Sequence, residues 1–207
     1  MSPESVRRML VDGSSSPQLG TVLAMLRPLG MGLALVLREG GEPSPEDVLM
    51  GWLAHYGAPL YGCDVLEKEL AREPEGVLVD GLVMSRESGT VARALPCAFW
   101  FCRDRLDLSL LRSVAVARRL GKVLGFFLEL TSVLSGGWSR FEEISALLRT
   151  LYSPTPLLSR PEQFFRPTTR RERALAELCT PEVARRWGFR MNMDLDCFAS
   201  MFRKAAS

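Results

Sequence analysis

Histidine is nearly absent from this sequence, because His55 is the only one among 207 residues. A Ser–His–Asp or Cys–His arrangement would have to use it. No Gly-x-Ser-x-Gly segment of the kind that carries a nucleophilic serine lies beside it. Its surroundings, GWLAHYGAP, favour a packing role between Trp52 and Tyr56. We therefore predict no catalytic residue and expect a non-enzymatic protein.

Cysteine spacing gives no sign of a metal site or a disulfide framework. The five cysteines are an odd number without a regular pattern, which is unlike a secreted disulfide scaffold. A zinc site would need four Cys or His ligands. The closest pair, Cys97 and Cys102, lies in the apolar segment ALPCAFWFC. We expect reduced core thiols and no metal. The cysteines are Cys63, Cys97, Cys102, Cys179 and Cys197.

Phosphate-binding loops and paired catalytic carboxylates are also missing. Gly30 and Gly32 supply only the first two glycines of a dinucleotide-binding loop, and they precede an apolar run instead of following it. The pairs Glu46–Asp47 and Glu142–Glu143 are adjacent in sequence, so on a helix they would not face each other. Both pairs are typical of solvated helix starts. We expect no cofactor.

Long hydrophobic runs are absent. The longest is interrupted by Gly125 and Glu129, and it falls short of the roughly 20 residues that a membrane span needs. The first residues, MSPESVRRMLVDGSSSPQ, lack the apolar region of a secretory signal. We expect a cytoplasmic protein that is not in a membrane.

Lysine is scarce, with 3 lysines against 23 arginines. Arginine is the better residue for bidentate contacts with phosphate or carboxylate. A GC-rich bacterial genome would produce the same excess through codon usage, and we favour that explanation.

Charge is distributed unevenly along the chain: residues 38–90 hold 11 acids and 4 bases, whereas 160–190 hold 8 bases and 4 acids. An uneven distribution of this kind aids association with a complementary partner.

Helical periodicity dominates what the sequence does contain. We predict an all-α fold, a helical bundle or short helical stack, with a minor strand pair near residues 31–38, where periodicity does not separate strand from helix. Caps at Ser44 and Asp107 mark two helix starts. Gly121 is expected to end a helix, and Pro96 to bend or interrupt one. The predicted helices cover 19–29, 45–56, 63–73, 75–88, 90–102, 108–120, 122–134, 139–151, 170–178, 181–186 and 195–204.

The helix over 122–134 is apolar on nearly all sides, which is typical of a helix surrounded by others. It is the predicted centre of the fold, with Phe126, Phe127, Leu130 and Val133 nearly fully buried. The helix over 139–151 should bury one side, formed by Phe141, Ile144, Leu147, Leu148 and Leu151.

The predicted domain organisation is a flexible segment, 1–17, followed by a single helical domain, 18–207. A division into subdomains 18–88 and 89–207 is the alternative. Residues 153–169 contain four prolines and should form an extended connection.

Two interpretations fit TPEVARRWGFRMN (180–192). Its Thr cap, acidic first turn and Gly188 resemble the start of a helix-turn-helix. The second helix would carry Asp194 and Asp196, which would repel phosphates. Alternatively, a short helix ends at the glycine, and Trp187 and Phe189 pack onto the core.

Three interpretations fit the role of the segment FFRPTTRRER (164–173). The aromatics and arginines could stack on bases and pair with phosphates. They could instead meet an acidic protein, since aromatic residues and arginine are enriched in binding hot spots. In the third interpretation, Phe164 and Phe165 anchor the extended connection, 153–169, to the core. The candidate interaction surface comprises Phe164, Phe165, Arg166, Arg170, Arg171, Arg173, Arg185 and Arg186.

These observations favour a protein–protein interaction role in a bacterial cytoplasm, such as that of an antitoxin, an immunity protein or a regulatory partner. The alternative is a nucleic-acid-binding regulator that uses the basic segment 160–190.

Overall fold

A computed structural model describes residues 43–60, 72–152, 161–165 and 169–206. Helices hold 72% of these residues, and the described ranges contain nine of them with one pair of short strands. The predicted all-α fold with a minor strand pair is therefore confirmed. The helices are α1 (Pro45–His55), α2 (Pro74–Met84), α3 (Gly89–Cys102), α4 (Leu108–Ala117), α5 (Gly121–Ser135), α6 (Ser139–Tyr152), α7 (Arg170–Cys179), α8 (Glu182–Arg186) and α9 (Leu195–Ala206).

The two strands of the described ranges lie in the C-terminal part of the chain. Strand β1 (Glu162–Gln163) pairs in parallel with β2 (Phe189–Arg190). The predicted pair near 31–38, the helix predicted over 19–29 and the predicted flexible segment 1–17 lie outside the described residues. So do residues 63–71 of the helix predicted over 63–73, whereas its last two residues, Arg72 and Glu73, are described and are not helical.

Helix starts follow the capping residues. Ser44 and Asp47 form a capping box at α1, with Pro45 as its first residue. The Asp107 carboxylate accepts hydrogen bonds from the backbone N–H groups of Ser109 and Leu110 at α4. These side chains satisfy N–H groups that the first helical turn leaves unpaired. Both predicted starts are confirmed.

Helix ends were predicted less well. Helix α4 stops at Ala117, and Gly121 begins α5 instead of closing α4. The chain turns at Arg119, whose φ is 60°. Gly121 is needed for space, since a Cβ there would lie 2.5 Å from the Tyr152 ring. Helix α3 continues through Pro96 without interruption.

One hydrophobic core extends from α1 to α9. Helix α5 packs against α3, α4, α6 and α8, and α3 in turn packs against α1, α2 and α9. The rings of Phe126 and Phe127 are fully buried, as is Leu130. The central position predicted for this helix is thus seen in its contacts.

Three apolar residues predicted in the core are exposed instead. Val133 is 48% exposed, because the helices packed on α5 leave this side of its last turn uncovered. On α6, Phe141 and Leu148 are buried, whereas Leu147 and Leu151 are open to solvent. The apolar side of α6 is therefore wider than the area that α5 covers.

The burial difference within α5 gives a stability test. Phe127→Ala should cost about 3–5 kcal/mol, because it removes a fully buried ring and leaves a cavity. Val133→Ala should cost less than about 1 kcal/mol, since exposed positions contribute little. Chemical denaturation of both variants measures the difference. Equal losses would contradict this packing.

Candidate interaction surface

Helix α7 lies at the surface and carries three of the predicted arginines. A capping box between Thr169 and Glu172 starts it. Of its ten residues, Ala176 alone is buried. Arg170, Arg171 and Arg173 are exposed, and so are Leu175 and Leu178, the latter to 78%. These five exposed residues are called the α7 surface below.

The two phenylalanines before α7 differ in exposure. Phe164 is 1% exposed, and its ring centroid lies 5.5 Å from that of Phe126 and 5.2 Å from that of Phe189. Phe165 is half-buried against it. Phe164 therefore packs as an anchor of the connector, which is the third of the predicted roles, and its buried ring presents little surface to a partner. Arg166 lies outside the described residues.

Two cations hold β1 beside this aromatic cluster. Arg86 Nη2 lies 2.7 Å from Glu162 Oε1, and Lys122 Nζ lies 3.0 Å from Glu162 Oε2. The guanidinium of Arg86 also covers the Phe164 ring, and the ammonium of Lys122 covers the Phe189 ring. Burial raises the pKa of Glu162, but the bonds from Lys122 and Arg86 outweigh it, so the pKa of this carboxyl is lowered.

Trp187 joins the C-terminal segment, α8 to β2 (182–190), to the middle of α5. Its ring lies against Gly125, where a Cβ would come within 2.0 Å of Trp187 Cη2. The indole Nε1 donates to Glu129 Oε2 at 2.7 Å. Gly125 and Glu129 are one helical turn apart and lie on the same side of α5. Gly125 leaves space for the Trp187 ring, and Glu129 accepts the hydrogen bond from its indole.

Glu129 is the charged centre of this contact. It is 7% exposed and pairs with Arg149 of α6 through Nη2. Arg186 of α8 pairs with it through Nη2 at 2.8 Å. A buried carboxylate requires such partners, because removing a charge from water is costly. Arg186, a predicted interaction residue, is thus partly engaged inside the protein.

The segment 180–192 has the second of its two predicted forms. Helix α8 has five residues and is followed by Gly188, whose φ is 67°, and then by β2. Trp187 and Phe189 are buried. The next helix, α9, begins only at Leu195. A recognition helix does not follow the turn, so the helix-turn-helix interpretation is wrong.

A cavity of about 550 Å³ lies where α7, α8 and the strand pair meet. Arg190 Nη1 and Glu177 Oε1 form an ion pair of 3.0 Å on its wall. The Thr180 hydroxyl is already used, since its one proton lies within reach of the backbone carbonyls of Ala176 and Met191, and its oxygen accepts from Met191 N. Arg185 is exposed there. The lining residues are Pro161, Ala176, Glu177, Thr180, Arg185, Phe189 and Arg190.

No family model matches the chain, and neither a curated protein nor a solved structure matches it significantly. Within the described residues, no group of three or more His, Cys, Asp or Glu side chains is arranged to hold a metal ion. No helix in those ranges has both the length and the apolar character needed to cross a membrane.

The exposed arginines of α7 are predictable from the sequence, whereas the charged residues that pair near them are not. In the sequence, Glu129 interrupts an apolar run. A single acid within such a helix is itself a signal, because buried acids are almost always paired. Glu177 and Arg190 carried no such signal, since charged residues are ordinary on an exposed helix and beside a turn.

The network at Glu129 predicts a selective loss of stability. Glu129→Gln leaves two arginines without their counter-ion. Breaking a buried pair costs about 3–5 kcal/mol, and we expect about 2–3 kcal/mol here because both arginines are more than a third exposed. Glu143→Gln, at an exposed position of α6, is the control. Similar unfolding midpoints for the two variants would contradict the assigned role.

Cysteine reactivity tests the core assignment. Burial raises the pKa of Cys97 to about 12 and that of Cys102 to about 11. Because the thiolate is the reactive form, both should resist alkylation at pH 8. Cys179 is only half-buried and should react first among these three. Iodoacetamide labelling with site-resolved mass spectrometry measures this, and unfolded protein gives the reference rate. Rapid modification of Cys102 in the folded protein would contradict its burial.

Proposed function

We propose that this protein has a non-enzymatic role and binds an acidic protein partner through the α7 surface. The observation that carries the proposal is the shallow packing of α7, which buries only Ala176 and leaves Leu175 and Leu178 exposed. A helix in a soluble protein normally buries an apolar stripe against its own core. Here the apolar residues face outward, which is typical of a surface that another molecule covers.

The composition of the α7 surface favours a protein over a nucleic acid. Arg171, Leu175 and Leu178 are spaced at i, i+4 and i+7, so they share one side of the helix. A helix that presents such a stripe suits an apolar groove in a partner. The neighbouring arginines then favour acidic residues around that groove, because complementary charge steers association.

This assignment supports a regulatory class of function. An antitoxin, an immunity protein or a regulatory partner in a bacterial cytoplasm acts by occupying one specific protein, and it needs no chemistry of its own. A helix that exposes both an apolar stripe and cations supplies the required surface.

A nucleic-acid-binding regulator is the second candidate. Arg170, Arg171 and Arg173 lie together at the start of α7 and could contact phosphates. Against this, Glu177 and the exposed leucines lie further along the same helix, where acids oppose a phosphate backbone.

Photo-crosslinking identifies the partner and tests the surface. Benzoylphenylalanine is placed at Leu178 in the native host, and in a control strain at Leu151, which is 71% exposed on α6. We expect a specific crosslinked protein from position 178 only. With that partner purified, Leu178→Ser should weaken binding about tenfold, or about 1.4 kcal/mol. Leu151→Ser should leave the affinity nearly unchanged.

Salt dependence separates the two candidates. Four phosphate contacts by Arg166, Arg170, Arg171 and Arg173 would give a slope of roughly −3.6 in log K against log salt. We expect no duplex binding tighter than micromolar at physiological ionic strength. Submicromolar, salt-sensitive DNA binding that disappears when these arginines are changed would overturn the protein-partner proposal.

A further inference from the structure

The cavity beside α7 is lined by an arginine, Arg185, whose side chain reaches solvent. The side chain of Arg185 is exposed on its wall, and it has no ion-pair partner within the described parts of the chain. Arg190, on the same wall, is paired with Glu177. With two cations and one anion among its lining residues, the cavity carries an excess positive charge. One additional negatively charged group would neutralise this excess.

Glu177 shows which kind of group fits. Its carboxylate lies 3.0 Å from Arg190 Nη1, and the side chains of the two residues are 63% and 39% exposed. An exposed ion pair contributes little to stability. Glu177 can therefore leave Arg190 at little cost when another carboxylate arrives.

We propose that this cavity binds a carboxylate side chain of the acidic partner, between Arg185 and Arg190. In the free protein Glu177 occupies part of that position and competes with the ligand. This inference rests on the proposed function, since the carboxylate would be presented by the partner that covers the α7 surface. Glu177 and Leu178 are adjacent residues of α7 and point in different directions from the helix, so the bound segment has to curve around α7 to contact both.

The surroundings favour a peptide carboxylate over a phosphate. The apolar lining residues Pro161, Ala176 and Phe189 suit the aliphatic part of an Asp or Glu side chain. The Thr180 hydroxyl bonds to backbone atoms, so it offers no donor for a further phosphate oxygen. Arginine binds carboxylates and phosphates alike through two parallel N–H donors, so the apolar lining and the engaged Thr180 hydroxyl carry this preference.

The experiment uses the full chain and a fluorescein-labelled octapeptide that alternates pairs of leucine with pairs of aspartate. Its asparagine analogue is the neutral control. Fluorescence anisotropy should show the acidic peptide binding about tenfold more tightly than the analogue. Arg185→Gln should remove most of this preference. Arg140→Gln, which removes an exposed arginine of α6 that does not line the cavity, should change the affinity by less than about twofold, because salt screens exposed charges that make no direct contact.

The decisive variant is Glu177→Gln. Because it removes the internal competitor, it should tighten binding of the acidic peptide about three- to tenfold, whereas Glu143→Gln makes the same change in net charge elsewhere and should have little effect. Equal effects of the two variants, or equal binding of both peptides, would overturn the cavity proposal. Displacement of the peptide by micromolar single-stranded DNA would also overturn it and indicate a phosphate site.

The two proposals can fail separately. If Arg185→Gln has no effect on peptide or partner binding while Leu178→Ser still weakens the crosslinked partner, the cavity assignment is wrong and the α7 surface stands. If Leu178→Ser is also without effect, the proposed function itself is wrong. The substituted residues Arg140, Glu143, Glu177, Leu178 and Arg185 are all exposed. Unchanged thermal midpoints verify that each variant is folded.

Discussion

The buried carboxylate of Glu129 constrains much of this structure. A charge that is 7% exposed must be compensated by donors held in place. These donors come from different parts of the chain: Arg149 of α6, Arg186 of α8, and the Trp187 indole. The position of α6 and that of the C-terminal segment on α5 are therefore coupled. Gly125 adds a steric requirement, because only a residue without a Cβ lets the Trp187 ring lie this close.

The surface features follow from that arrangement. With Trp187 held on α5, the turn at Gly188 directs β2 alongside β1 and brings Phe189 against Phe164. The same turn sets Arg185 before it and Arg190 after it, on one cavity wall. A buried polar network thereby fixes the spacing of two exposed guanidinium groups. This matters for recognition, since binding is strongest when the receiving groups are already in place.

The parts of the fold that were predictable depend on neighbouring residues. Caps at Ser44 and Asp107 involve residues two or three positions apart, and the apolar pattern of α5 is contained within the helix. The features that were not predicted involve residues far apart in the sequence: Arg149 lies 20 positions from Glu129, and Trp187 lies 58 positions from it. The β pair was unpredictable because two-residue strands have no periodicity. In the site, exposed α7 arginines were found, whereas the burial of Phe164 depends on rings from other elements.

Periodicity also shows which residues share a side of a helix, but it does not show what covers that side. Leu151 of α6 and Leu178 of α7 are similarly exposed, yet they differ in context. Leu151 lies at the margin of a helix that packs extensively on α5. Helix α7 has ten residues and one buried side chain, and isolated helices shorter than about 12–15 residues are marginal in water. Its capping box is thus a main local source of stability, and a partner on Leu175 and Leu178 would supply the apolar contact that the rest of the described chain does not. The exposed leucines of α7, more than those of α6, therefore support the proposed binding surface.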